Sequence, residues 1–160
     1  MIPETVAYYH ALLLVGIRDK LDEAFDHALE MDEPLSDLVL SLSTCISDDD
    51  AVLSVLQEYI WNHTIDDQVV YHLIRGDFRQ RRLTEKLTRA EVTECLYQIV
   101  MDPDKFLKDP WYKLTTPKYV LELWQDGMIA EEVFNQCFDA WLFRGETLNP
   151  WQLQAEQNKK

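Results

Sequence analysis

Residues 17–30 read Ile-Arg-Asp-Lys-Leu-Asp-Glu-Ala-Phe-Asp-His-Ala-Leu-Glu, and the pattern of this stretch decides the fold class. Ile17, Leu21, Phe25, Ala28 and Leu29 recur at spacings of 4, 4, 3 and 1, which places them on one stripe of an α-helix. Asp19, Asp22, Glu23, Asp26 and Glu30 fall on the opposite face, where their charges remain in water. The segment therefore predicts an amphipathic helix with a buried apolar side and an acidic exposed side.

The same logic extends in both directions. Upstream, Pro3 suits the first turn of a helix running to Val15, and Gly16 is placed to close it in a left-handed cap. Downstream, Leu35, Leu38, Val39 and Leu42 give the spacing of a third helix after Pro34. Ser47 is the expected N-cap of a fourth, with Asp48, Asp49 and Asp50 against the positive end of its macrodipole and Val52, Val55, Leu56, Tyr59 and Ile60 inward. A fifth helix is expected from Asp66 to Arg75, with Val69, Val70, Leu73 and Ile74 inward and Gly76 as its stop. Residues 77–87 are basic and weakly patterned. Thr88-Arg-Ala-Glu91 reads as a capping box ahead of Val92, Cys95, Leu96, Ile99 and Val100. Pro103 and Pro110 bracket a short amphipathic turn, Thr116-Pro117 opens a helix ending near Gly127, and Val133 to Leu142 mark the last long helix.

With 4 glycines and 6 prolines in 160 residues, and no sustained alternation of apolar and polar positions, the chain lacks the turns and period of a β-fold. The expectation is an all-α protein of eight to nine helices. It would be one domain over residues 1–145, a bundle or a short stack of helical hairpins, followed by a polar and partly ordered tail from 146 to 160. Tyr8 to Gly16 and Tyr119 to Gly127 share Tyr, Leu and Gly at matching offsets, which points to similar hairpins near the two ends. The first residues carry no basic leader, and the longest apolar run, Ala11 to Val15, is far short of a bilayer span. A cytoplasmic protein with no membrane contact is expected.

Chemistry-bearing motifs are sparse. His10, His27, His63 and His72 form no H-x-x-x-H pair and have no cysteine at ligand spacing, so each is read as a helix-surface or boundary residue. Cys45, Cys95 and Cys137 lie about forty to fifty residues apart and are read as buried free thiols. Asp48-Asp49-Asp50 is consecutive rather than alternating, which does not suit a calcium loop. No glycine-rich phosphate loop or nucleophile elbow is present. No catalytic residue, cofactor or metal is expected, and an enzyme assembled in space around His27 or His72 is the weakest of three readings.

Charge is the informative bulk property. The chain has 29 acidic and 15 basic residues, a net charge of −14. Residues 1–67 hold 15 Asp and Glu against Arg18 and Lys20, residues 68–92 net +3 and the remainder nets −4. The acidic first part repels nucleic acid and anionic membrane and favours a cationic protein partner. The basic segment from Arg75 to Arg89, with Tyr71 and Phe78 as stacking candidates, is read as compensating the acidic helices rather than as a nucleic-acid patch. The candidate partner-binding carboxylates are Asp22, Glu23, Asp26, Glu30, Asp32, Glu33, Asp48, Asp49, Asp50, Asp66 and Asp67.

Ile2-Pro3 leading into Ala7-Tyr8-Tyr9, the Gly16-Ile17 break, the helix from Lys20 to Leu29, and Asp32-Glu33-Pro34-Leu35 before a leucine-rich helix carry a resemblance. Over roughly its first third the chain resembles the small acidic helical immunity proteins encoded beside bacterial polymorphic and contact-dependent growth-inhibition toxins. The resemblance implies a non-catalytic protein that binds a cognate toxin domain, often a basic nuclease, and occludes its substrate cleft. Carboxylates would mimic phosphate, with Tyr59 or Trp61 as aromatic anchors. The alternative is a helical scaffold that binds a protein through an apolar groove between hairpins.

Overall fold

In the computed structural model, residues 1–31, 34–102 and 111–160 are described. They form nine α-helices and no strand, so the protein is all-α. The helices are α1 (Pro3–Leu14), α2 (Asp19–Met31), α3 (Asp37–Ser43), α4 (Asp49–Trp61), α5 (Asp67–Leu83), α6 (Arg89–Met101), α7 (Thr116–Gln125), α8 (Glu131–Asp139) and α9 (Pro150–Asn158). A 3-10 turn at Trp111–Thr115 leads into α7, and a π-helical turn at Ala140–Arg144 extends α8. The contacts gather the chain into two compact units, Met1–Ile74 and Arg75–Lys160. The proposed turn between Pro103 and Pro110 lies outside the described residues.

In the first unit α1 is the central element. Seven of its twelve residues are buried, His10 among them, so the expectation of a helix-surface or boundary position for His10 is corrected. Helix α1 packs against α4, and α2 and α3 complete the layer. The core joins Val6 and Leu13 of α1, Leu21, Phe25 and Ala28 of α2, Val39 and Leu42 of α3, and Val52 and Leu56 of α4. Burying a side chain of this size contributes about 1.5–3 kcal/mol, which makes this shared interior the dominant stabilisation of the unit. Leu29, placed on the apolar stripe by its spacing, is 44% exposed. It lies one position past Ala28, which already faces the core, and the stripe is narrower than the pattern suggests.

Helix ends follow local chemistry. At Gly16 (φ +79°) the amides of Gly16 and Ile17 donate to Leu13 and Leu12, closing α1 in a Schellman motif. Gly127 (φ +75°) closes α7 the same way, with Met128 donating to Leu123. The hairpin echo holds at these caps and fails at the tyrosines, since Tyr8 is buried and Tyr119 is exposed. The N-cap of α4 is Asp48, whose carboxylate accepts from the Ala51 amide at 3.3 Å. That corrects the expected cap at Ser47 and leaves Asp49 and Asp50 in the first turn. The Thr88–Glu91 capping box is present, with the Glu91 amide donating to the Thr88 hydroxyl at 3.1 Å and the Thr88 amide donating to the Glu91 carboxylate at 3.0 Å.

Gly76 does not stop α5, which runs on to Leu83. Tyr71, Ile74, Phe78 and Arg81 are all buried at helical spacing, so the inward stripe continues through the glycine, while Val69, expected inward, is 41% exposed. In the second unit Leu96 and Ile99 of α6, Leu114, Leu121 of α7, and Phe134 and Phe138 of α8 are fully buried. Trp124 stacks on Phe134 with ring centroids 5.4 Å apart. Asn149 caps α9 by accepting from the Trp151 and Gln152 amides, and α9 packs on α8. The segment read as a partly ordered tail thus contains a capped helix.

Candidate functional site

The acidic residues of the first unit meet at Arg18. Its guanidinium donates to Asp22 at 3.0 Å, to the Ile46 carbonyl at 2.5 Å and to Asp49. One cation between α1 and α2 therefore ties the start of α2 to the start of α4, and it brings Asp22 beside the run from Asp48 to Asp50. The same ion pairs push the Arg18 pKa up, with the Asp22 hydrogen bond the largest cause. Lys20, the other cation of this unit, pairs with Glu23 at 3.7 Å. Asp26 and Glu30 are exposed farther along α2, and Asp50 is exposed at the start of α4.

The remaining candidates lie elsewhere. Tyr59 and Trp61 sit at the far end of α4, about 15 and about 18 Å along the helix from Asp49 at 1.5 Å per residue. Asp66 begins the next helix by accepting from the Gln68 and Val69 amides at 3.0 and 3.4 Å, and Asp67 occupies its first turn. Tyr59 is half-buried, packs against the core and stacks on His63 with centroids 3.9 Å apart. Burial, reinforced by Glu4, raises its phenol pKa. Trp61 is 60% exposed. The structure thus divides the candidates into a group at the Arg18 junction and a second group at the opposite end of α4. Asp32 and Glu33 lie outside the described residues.

Between α1 and α2 opens a cleft of about 430 Å³, lined by Tyr8, Tyr9, Lys20, Glu23, Ala24 and His27 among others. Thr5 and Ala28 also line it. Ala24 and Ala28 leave the space, and the tyrosine rings lie 5.3 Å apart at 39°. Burial, with a contribution from Glu23, raises the Tyr9 pKa. The cleft is the feature that sequence reasoning missed. Its signal was two small residues four apart on α2, facing adjacent tyrosines.

Among the described residues no three His, Cys, Asp or Glu side chains gather as a metal site would require, and no helix is long and apolar enough to cross a membrane. All three cysteines are free. Cys137 is buried, whereas Cys45 and Cys95 are only half-buried, which corrects the expectation of three buried thiols. Burial raises the pKa of the Cys95 and Cys137 thiols, which keeps them protonated and poorly nucleophilic.

The basic segment serves the second unit. Arg75 donates to the Trp141 and Leu142 carbonyls and lies over the Trp141 ring at 5.5 Å, and Arg79 donates to Leu142 at 2.6 Å. Arg81 pairs with Asp77 at 2.6 Å, and Arg89 grips Asp139 through two bonds of 2.9 and 3.0 Å. Arg75 and Arg79 thus satisfy carbonyls of the π-helical turn that extends α8, and Arg81 and Arg89 form ion pairs with Asp77 and Asp139. Counted by unit, residues 1–74 contain 15 acidic and 2 basic residues, net −13, and residues 75–160 contain 14 and 13, net −1. Comparison with protein-family models, with curated proteins and with solved structures gives no match.

Proposed function

We propose that residues 1–74 bind a cationic protein domain, and that the chain acts without catalysis as an immunity-type inhibitor occluding the substrate cleft of a basic toxin. One observation carries the reading: nearly the whole net charge belongs to the first unit, whose two cations are already engaged. Such a concentration opposes folding through self-repulsion, and its return is steering of an oppositely charged partner. Steered association reaches about 10⁸–10⁹ M⁻¹s⁻¹ at low salt, a rate suited to intercepting a toxin before it acts. The carboxylates around Arg18 would stand where the phosphates of the partner's substrate bind.

The test is co-expression with the basic protein encoded beside the gene. A stable complex and loss of that protein's toxicity are expected. If the neighbouring product neither binds nor becomes harmless, the reading fails.

A further inference from the structure

We infer that the α1–α2 cleft is a socket for a single arginine side chain of the partner, with Tyr8 and Tyr9 as its aromatic wall and Glu23 as the carboxylate that receives the guanidinium. The inference rests on the cation-binding role proposed above and names where on the first unit one basic side chain is held.

Three features of the cleft point to this occupant. Its wall is aromatic, and a cation over a tyrosine face is attracted by the ring quadrupole. Tyr8 is buried and Tyr9 half-buried, so both rings are held in place by packing before any partner arrives. The carboxylate is available, because the Glu23 side chain is 70% exposed and its ion pair with Lys20 is a long 3.7 Å. Lys20, whose ammonium lies 3.7 Å from Glu23, is also among the lining residues. Lysine is a point charge on a flexible stem, whereas arginine offers a planar fork that matches a carboxylate and stacks on aromatic rings. An incoming guanidinium can therefore displace the Lys20 ammonium from Glu23 and gain contacts that Lys20 does not make. Asp26, exposed on the same helix, adds to the negative potential at the mouth.

The experiment titrates the full chain with an acetylated, amidated hexa-arginine peptide at low ionic strength, following the Tyr9 ring signals by NMR. Wild-type protein is expected to bind, with Tyr9 shifted. Glu23→Gln is expected to weaken binding about fivefold or more, and Tyr9→Leu by about two- to fivefold, while Tyr9→Phe keeps the ring and the affinity. Glu156→Gln, an exposed residue of the second unit, is the control and should change affinity less than about twofold. Glu23 is exposed, so its substitution leaves the fold intact. If the peptide binds and Glu23→Gln behaves like Glu156→Gln with Tyr9 unmoved, the socket is overturned and the broader acidic-surface reading stands. If the peptide does not bind even at low ionic strength, both are overturned.

Discussion

Arg18 is the residue on which the geometry of the acidic unit turns, because its guanidinium reaches Asp22 of α2, Asp49 of α4 and the Ile46 carbonyl. Both carboxylates are about half exposed, so the ion pairs themselves add little, and the bond to the carbonyl and the relief of repulsion matter more. Arg18→Gln is expected to lower stability by about 1–2 kcal/mol in a urea titration, with a smaller loss for Asp22→Asn. Tyr9 gives a test in pH. Its native pKa lies above the ordinary 10.0 because burial disfavours the phenolate. The folded state thus keeps a proton that the unfolded chain releases, and this contribution is complete below pH 10 and is lost as pH climbs further. Tyr9→Phe removes the titrating group, so the onset of alkaline unfolding, followed by circular dichroism, should move to higher pH. The sequence displays every one of these carboxylates, but not the 31-residue separation across which Arg18 reaches Asp49, since that pairing exists only once α1 packs on α4.

Helices were legible where the apolar period was clear, as in α2, and where it agreed with the end signals, as in α6 and α7. Helix α5 shows where local signals conflict. Gly76 after a charged residue resembles a stop, yet Phe78 stays on the stripe of Tyr71 and Ile74, and burial of that aromatic ring outweighs the weak helix propensity of glycine. No neighbouring atom lies within 4 Å of the position a Cβ would take at Gly76, and its φ is not left-handed. Gly76→Ala is therefore expected to stabilise the protein by about 0.5–1 kcal/mol. At Gly145 the sign reverses, because φ is +68° and an added Cβ would stand 3.4 Å from the Arg75 guanidinium. Gly145→Ala is expected to cost about 1–2 kcal/mol, and thermal melts of the two variants should shift in opposite directions. Capping at Asn149 similarly explains a helix in a segment whose polar composition alone argues for disorder.

On the scale of the whole molecule, charge and structure divide at the same place, with net −13 before residue 75 and net −1 after it. Composition reveals the asymmetry, and the contacts add that Arg75 and Arg79 hold carbonyls, and Arg81 and Arg89 hold carboxylates, within residues 75–160. Capture of a basic partner by that field is the central claim, and its most direct test is the association rate measured against ionic strength for three proteins. These are the wild type, a first-unit variant (Asp26→Asn, Glu30→Gln, Asp50→Asn) and a second-unit variant (Glu122→Gln, Asp126→Asn, Glu156→Gln), each mixed with the basic protein encoded beside the gene. The account predicts a wild-type rate that falls steeply with salt, a loss of about tenfold at low salt in the first-unit variant, and little change in the second-unit variant. A rate insensitive to salt, or equal losses in the two variants, would contradict it.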